Sequence, residues 1–250
     1  HHSLEVGATL RQQQFWRQFW LETGGSAVTV SEGRTEGPRS VVVEIREAIV
    51  RGDFVPNQRL VEADLSEQFG ASRATVRSAL VELANEGLVE RVQNRGARVR
   101  AVSLEEAVEI SEVRMVLEGL CAAKAAEHVT KEEAKRLKAI GKQMRAAVSS
   151  GDVLGYSRLN QDLHRMVREL SGQRTAQDVL ERLRAQSVRH QFKLAMHPGR
   201  PSVSLPEHQA IIDAICAHDP AAAEEAVRAH LRSVITALRE VDQSGVRRLP

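Results

Sequence analysis

The stretch from Leu60 to Gly87, LVEADLSEQFGASRATVRSALVELANEG, constrains the fold of this chain more than any other. Its apolar residues recur at three- and four-residue spacing in two short runs, which predicts two amphipathic helices. Gly70 separates the runs, where a helix can end in the left-handed conformation that only glycine adopts cheaply. Ser72 follows at the position of an N-cap for the second helix. The stretch therefore predicts a helix-turn-helix.

The second predicted helix has a basic front and an apolar back. Arg73 and Arg77 are four residues apart and share one face with Thr75 close by, while Val76 and Leu80 belong to the buried stripe. A helix that reads the major groove of DNA needs this division. The same spacing also fits an ordinary helical hairpin with two solvated arginines, and spacing alone does not decide between them.

The residues that follow favour DNA binding. Residues 88–100, LVERVQNRGARVR, form the pattern of two short strands around an Asn-Arg-Gly turn. Arg95 beside Gly96 at the tip suits insertion into a narrow minor groove. A helical pattern over residues 40–51 precedes the pair, so the order of elements predicts a winged helix-turn-helix. The candidate DNA-binding residues are Ser72, Arg73, Thr75, Arg77, Arg95 and Gly96.

Residues 41–102 resemble the DNA-binding domain of the GntR family of bacterial transcription regulators. The resemblance rests on the recognition-helix motif SRATVRSAL, the exit EGLV and the wing motif RGARV. Asn57 stands where the family prefers glycine, a position asparagine tolerates because it also visits the left-handed region. Ala74 and Thr75 replace the usual Thr-Pro of the first helical turn, which removes a proline suited to that position.

Composition limits the other classes of function. The formal net charge of the 250 residues is +2, so any basic surface for DNA must be local. Cys121 and Cys216 stand in unrelated contexts without a CxxC motif, which is typical of buried cysteines in a reducing cytosol. The sequence shows no apolar run of bilayer length and no secretory signal pattern, so we expect no membrane partner and a cytoplasmic protein.

Residues 1–37 carry a separate pattern. His1 to Ser3 resemble the end of a purification tag, so His1 and His2 are not counted as candidate metal ligands. Phe15 to Trp20 fall on a helix with a broad aromatic face, and a Gly/Ser/Thr-rich tether follows. This helix could be fortuitous, dock on a partner subunit or lie on a membrane surface. Docking is favoured because its polar face is rich in glutamine and poor in lysine.

From Ser103 onward the chain shows helical patterns alone, which predicts a second domain over residues 103–245, beside the DNA-binding domain over 38–102. The fold class is therefore mostly α, with a winged helix-turn-helix followed by an all-α antiparallel helical bundle. The predicted bundle helices are Leu104–Val129, Lys131–Ser149, Asp152–Ser171, Arg174–Met196, Leu205–His218 and Pro220–Val241.

Three histidines and an asparagine form a candidate metal site in the bundle. Asn160 and His164 are four residues apart on one helix, and His208 and His230 lie beside apolar residues on two others. These side chains could converge on one divalent metal and leave coordination positions open. They could equally be separate core histidines, because spacing within helices does not show convergence.

The bundle resembles the FCD effector domain of the FadR-type subgroup of GntR regulators, through EVRMVLE near Arg114, the Asn160–His164 helix followed by SGQ, and the EHQAIIDAI helix. The resemblance implies the metal ligands Asn160, His164, His208 and His230, and zinc as the first choice, with nickel, manganese or iron as alternatives. It also implies that Arg114 clamps the carboxylate of a small metabolite. Asparagine stands where many members have aspartate, which raises the charge of a loaded site by one and favours an anionic effector.

Arg184, Arg189 and His190 on the fourth bundle helix are weaker candidates for effector binding, and a solvated basic face is the alternative. The resulting hypothesis is a ligand-responsive regulator that binds an operator in double-stranded DNA as a homodimer or higher oligomer. Repression is the commoner role in the family. A metal-dependent enzyme and a constitutive DNA-binding protein with a structural metal are the alternatives, although no HExxH-like motif or evident general base supports the enzyme.

Overall fold

A computed structural model of the chain describes residues 40–92 and 96–246. The chain divides into two compact units, the first ending at Ala101 and the second beginning at Val102. The predicted aromatic helix, the tether and Arg95 lie outside the described residues. No helix in these two ranges is both long enough and apolar enough to cross a bilayer.

The first unit is a winged helix-turn-helix built from three helices and a small antiparallel sheet. Its helices are α1 (Val41–Arg51), α2 (Glu62–Gln68) and α3 (Arg73–Asn85), and its strands are β1 (Arg59–Leu60), β2 (Val89–Val92) and β3 (Gly96–Val99). The strand order is β1-β3-β2, so the hairpin predicted from sequence forms β2 and β3. Strand β1 was not predicted, because two residues are too few to show alternation.

Local chemistry explains where these helices begin and end. The Ser72 side chain accepts a hydrogen bond from the backbone N–H of Thr75 at 3.1 Å, which confirms the predicted N-cap of α3. Asn57 adopts a left-handed conformation with φ 63°, as its place in the turn requires. Gly96 has φ 85°, and a Cβ there would lie 2.8 Å from the Leu60 carbonyl oxygen, so β3 can begin only with glycine.

The second unit is all-helical in its described part. Its helices are α4 (Leu104–His128), α5 (Lys131–Ser150), α6 (Val153–Leu170), α7 (Arg174–Ala195), α8 (Arg200–Cys216) and α9 (Pro220–Val246). Ser103 caps α4 and Thr130 forms a capping box with Glu133 at the start of α5. Side chains from five helices, among them Leu137, Leu163 and Ile212, pack into one buried cluster. The mostly α fold class is therefore confirmed.

Helix α8 differs from its predicted bounds. The predicted helix begins at Leu205, within the proline- and glycine-containing segment HPGRPSVSLP, but α8 begins at Arg200. Gly199 precedes it with φ 81°, and Pro201 occupies the first turn, where a missing N–H leaves no hydrogen bond unmade. Pro206 lies inside the helix. The earlier start places Arg200 and Ser204 on the same face as His208, because the three are four residues apart.

Candidate DNA interface and metal centre

An arginine-lined groove occupies one face of the first unit. It has a volume of about 870 Å³ and lies between α3, the start of α2 and the sheet. Arg73 and Arg77 line it with Arg59 and Arg91, and Glu62 is its single acidic lining residue in the described part of the chain. With four guanidinium groups and one carboxylate, this surface is locally positive. A chain with a net charge of only +2 needs such a local basic surface to bind DNA.

The two predicted recognition arginines differ in their contacts. Arg77 donates from Nε to Glu62 Oε1 at 3.0 Å and from Nη2 to Glu62 Oε2 at 2.8 Å. The hydrogen bond from Arg77 lowers the pKa of the Glu62 carboxyl and raises that of the guanidinium. Arg73 is exposed and makes no hydrogen bond or ion pair with any described residue. Ser72 and Thr75 are exposed at the start of the same helix.

His164, His208 and His230 lie together in the second unit. Each offers a ring nitrogen, and the three nitrogens lie within 4.8 Å of one another. The ring centroids are 5.4 Å apart for His164 and His208, 5.3 Å for His164 and His230, and 4.5 Å for His208 and His230. All three residues are buried, so helices α6, α8 and α9 bring them to one point inside the bundle.

Two of these rings are oriented by carboxylates. His164 Nδ1 lies 3.0 Å from Glu118 Oε2, and His230 Nδ1 lies 2.8 Å from Glu207 Oε2. Burial alone would raise the pKa of the Glu118 carboxyl, but the Arg114 charge and the His164 hydrogen bond outweigh it and hold that pKa well below 4.5. An ionised carboxylate only accepts, so Nδ1 of His164 is the donor and Nε2 carries the lone pair.

A chain of hydroxyl groups fixes the tautomer of His208. The Ser204 hydroxyl donates to the Arg200 carbonyl oxygen at 2.9 Å, so it accepts from the Tyr156 hydroxyl 3.0 Å away. Tyr156 has then used its one proton, and its oxygen accepts from His208 Nδ1 at 2.9 Å. The lone pair of His208 is therefore on Nε2, as in His164.

Two buried acceptor atoms in this cluster have no hydrogen-bond donor among the described residues. Asn160 Oδ1 and His208 Nε2 are buried and have no hydrogen-bond partner among the described residues. An unsatisfied buried acceptor is costly, so two of them in one cluster favour a bound cation or hydrogen-bond donor at this point. Imidazole nitrogens oriented through their Nδ1 atoms, joined by an amide oxygen, are a donor set that suits a divalent metal. The residues present therefore fit a metal centre.

Burial keeps His164 and His208 neutral and able to coordinate a metal. It lowers the pKa of His164 to about 4, against the opposing effect of Glu118, and holds the pKa of His208 well below 6.5. Both rings are therefore uncharged at neutral pH, which is the form that binds metal. Burial also raises the pKa of Tyr156 to about 12, so its hydroxyl stays protonated.

A cavity of about 80 Å³ opens beside the histidines. Asn160 and the three histidines line it, together with Arg114 and Arg184 from the predicted effector set. Arg189 and His190 do not line it: His190 Nε2 lies 2.8 Å from the Val102 carbonyl oxygen instead. On a helix, positions five and six residues beyond Arg184 face in other directions.

Sequence reasoning missed the residues that support the cluster. Tyr156 lies four residues before Asn160, and Ser204 and Arg200 lie four and eight before His208, so helical spacing held a signal. The misplaced start of α8 hid two of these. Glu207 is adjacent to His208 in sequence, but its contact with His230 crosses between two helices and has no local signature.

Comparisons with known proteins agree with both units. A family model described as "Bacterial regulatory proteins, gntR family" matches residues 39–99, and one described as "FCD domain" matches residues 109–233. The HTH-type transcriptional repressor RspR of Escherichia coli (strain K12) is 27% identical over 201 residues, which cover 80% of this chain and 88% of RspR.

A relative from Paenarthrobacter nicotinovorans, named "Probable D-xylose utilization operon transcriptional repressor", is 27% identical over 204 residues, covering 79% of this chain and 88% of its own. The solved structure of E. coli McbR/YncC is similar in fold, with a TM-score of 0.66 and 20% identity over 80% of this chain and 95% of that chain. The two family matches together span well over half of the sequence. The chain belongs to the GntR family of bacterial transcription regulators, with an FCD domain as its C-terminal part.

Proposed function

We propose that this protein is a ligand-responsive transcriptional repressor whose helical unit binds a divalent metal and a small carboxylate. The three-histidine cluster with its two unpartnered acceptor atoms supports the sensing role most directly. RspR and the Paenarthrobacter protein, both named as repressors, support the sign of regulation. Because its partner would be chromosomal DNA, we expect it to act in the cytoplasm.

In this proposal α3 lies in the major groove of an operator. Arg73 is free to bind a guanine edge or a phosphate, and Arg77 exchanges its contact with Glu62 for DNA. Ser72 and Thr75 hold the N-terminus of α3, which attracts phosphate. Gly96 begins strand β3 of the wing, and the proposal keeps the sequence prediction that Arg95, one residue earlier in the chain, reaches the minor groove.

The metal would be held by Asn160, His164, His208 and His230, with zinc the first choice and nickel, manganese or iron as alternatives. When bound, it would supply a Lewis-acidic centre for a carboxylate oxygen of the effector. Glu118, Tyr156 and Glu207 orient the three rings through their Nδ1 atoms, and such partners tune affinity almost as much as the ligands do.

In this proposal Arg114 binds the same carboxylate. It lines the cavity, and its guanidinium is held by Glu118, with Nη2 2.8 Å from Oε1. A guanidinium fixed in this way loses little conformational entropy when an anion arrives. The cavity admits a small acid: 80 Å³ corresponds to roughly five to eight water-sized groups at about 10–15 Å³ each.

We also propose a homodimer. Val113, Val116 and Leu120 are exposed at 49%, 52% and 39% on α4, at spacings that put them on adjoining parts of one helical surface. Apolar stripes of this kind mark association surfaces. A dimer would place two copies of α3 in successive major grooves of a near-palindromic operator.

A mobility-shift experiment tests the proposal. The duplex is selected from a random pool by the tag-free protein, and binding is measured without metal, with zinc, and with zinc plus short carboxylic acids. We expect the acids to change operator affinity only when zinc is present. Coupling of about 1–3 kcal/mol would appear as a roughly five- to 150-fold change. A double variant, His208→Ala with His230→Ala, is expected to bind the duplex but ignore the acids.

The matched control is His128→Ala, which removes an exposed histidine from α4 outside the cluster and should respond as the wild type does. Operator binding that no metal and acid alters would support the constitutive alternative and contradict the sensing role. Consumption of an acid in the same mixtures would support the enzyme alternative.

A further inference from the structure

The cavity beside the histidines has an excess of positive charge. Three arginines line it, Arg114, Arg184 and Arg200, and no aspartate or glutamate does so within the described ranges. The nearby acids lie behind this lining, in contact with the histidines and with two of the arginines. A site made only for one carboxylate on a metal would not require three guanidinium groups.

Two of the arginines are compensated. Arg114 Nη2 lies 2.8 Å from Glu118 Oε1, and Arg200 Nη2 lies 3.4 Å from Glu207 Oε2. Arg200 also donates from Nη1 to the Ser233 hydroxyl at 2.9 Å. These two side chains are therefore anchored within the bundle, each with one acid.

Arg184 lacks such a partner. It is half-buried, lines the cavity, and makes no hydrogen bond or ion pair with any described residue. Burial, together with the charges of Arg168 and Arg114, lowers its pKa to about 9 against the weaker opposing effects of Glu118 and Glu181. The guanidinium is still charged at neutral pH, and its position beside two like charges is unfavourable unless an anion joins it.

The ligand set of the metal adds to this excess. Asn160 and three neutral histidines contribute no negative charge, so a loaded divalent centre would keep its full charge of two. One carboxylate lowers that charge by one and leaves Arg184 uncompensated. A second anionic group on the same ligand would pair with Arg184 and bring the summed charge of the metal, Arg184 and the ligand from +3 without a ligand to +1. The cavity has room for a ligand of that size but little more.

We infer that Arg184 binds a second anionic group of the effector, so that the effector is a compact dianion such as a short dicarboxylate. This inference rests on the proposed sensing function and specifies its ligand class. One carboxylate occupies the metal and Arg114, and the other pairs with Arg184. Tyr156 and Ser204 also line the cavity, but their hydroxyl protons are donated within the bundle, so the second carboxylate depends on Arg184.

Calorimetry on the full-length, zinc-loaded protein tests this with acids of equal chain length. The diacids are malonate, succinate and glutarate, and their matched monoacids are propionate, butyrate and valerate. We expect at least one diacid to bind at least tenfold more tightly than the monoacid of the same carbon number. Equal affinities across all three pairs would overturn the inference, and they would leave the proposed sensing of a carboxylate intact.

The substitution Arg184→Gln locates the effect. It should remove the preference for the diacid, leave monoacid affinity within about threefold, and leave the zinc content unchanged. Arg184→Lys should restore part of the preference because it keeps the charge. The matched control is Arg182→Gln, an exposed arginine on the same helix that does not line the cavity, and it should behave as the wild type.

The outcomes separate the two proposals. A diacid preference that survives in Arg184→Gln would contradict the role of Arg184. Failure of zinc-loaded protein to bind any of the six acids would contradict the sensing function and this inference together. Absence of zinc binding would remove the metal centre itself. The wild-type comparison decides the ligand class even if a variant at position 184 does not fold.

Discussion

Two arginine–glutamate pairs, one in each unit, show how the same chemistry serves opposite purposes. Arg77 and Glu62 pair on the surface of the DNA-binding unit, with side chains 64% and 26% exposed. Arg114 and Glu118 pair inside the bundle, with side chains 7% and 4% exposed. Both contacts measure 2.8 Å, so distance does not distinguish them. Solvent does.

The difference decides what each pair can do. Water screens the surface pair, so Arg77 can leave Glu62 for a phosphate or a base at little cost. The buried pair cannot exchange with water, and each charge needs the other. The first unit therefore presents arginines that are available for binding. In the second unit Glu118 and Glu207 hold His164, His230 and Arg114 in fixed positions around the cavity.

The largest expected effect comes from breaking the buried pair. Glu118→Gln leaves the Arg114 guanidinium uncompensated and removes the carboxylate that orients His164. We expect the free energy of unfolding to fall by about 3–5 kcal/mol, measured by urea denaturation followed by circular dichroism. The control is Glu127→Gln on the same helix, whose carboxylate contacts Lys124 at the surface. A Glu118→Gln urea midpoint equal to that of the control would contradict the stabilising role of the buried Arg114–Glu118 pair.

Acid should weaken the bundle of the metal-free protein. The pKa of His164 is about 4 in the folded state, against 6.5 for an ordinary histidine. As pH falls through 6.5 the unfolded chain takes up a proton that the folded chain does not accept until about pH 4, so stability is lost across that window. The difference corresponds to about 3 kcal/mol. Urea midpoints that stay constant from pH 7 to pH 4.5 would exclude a buried neutral His164.

The exposed face should respond in binding and not in stability. Arg73→Ala removes an exposed guanidinium with no partner in the described structure. We expect operator affinity to fall by about tenfold to a hundredfold if it reads a base, with an unchanged urea midpoint. The control is Arg51→Ala, an arginine on α1 that pairs with Asp53 outside the groove. Wild-type affinity in Arg73→Ala would remove Arg73 from the interface.

The smallest effect is expected for Glu62→Gln. It removes the acid from the surface pair, so the urea midpoint should hardly move. Operator affinity should stay the same or rise slightly, because Arg77 no longer leaves a partner and one negative charge is absent from the groove. A clear loss of affinity in a shift assay would mean that Glu62 holds Arg77 in place for DNA, and the two pairs would then be alike.

The same contrast explains which parts the sequence could predict. The helix-turn-helix depends on short-range signals, so Gly70 and Ser72 could be identified from their neighbours, while the left-handed Asn57 followed from the family resemblance. The bundle helices followed from apolar periodicity. The start of helix α8 was predicted five residues too late, because two prolines and a glycine usually indicate a break. In the structure Pro201 lies in the first turn of the helix, where proline is tolerated.

The histidine cluster and its cavity could be predicted only in part, because they depend on which helix faces meet. The spacing of Asn160 and His164 and the family resemblance led to four ligand candidates, and the structure brings the three histidines together with Asn160 beside them. The partners Glu118, Tyr156 and Glu207 act across helix interfaces, where no local pattern marks them. Arg189 and His190 were weaker candidates on the same helix as Arg184, and they do not line the cavity.

Metal content tests the central claim most directly. Tag-free wild-type protein is reconstituted with zinc, dialysed and measured by elemental analysis beside the double variant His208→Ala with His230→Ala and the surface control His128→Ala. We predict one zinc per chain for the wild type and the control, and none for the double variant. Equal zinc in all three would contradict a metal centre at these histidines, and the sensing role built on it.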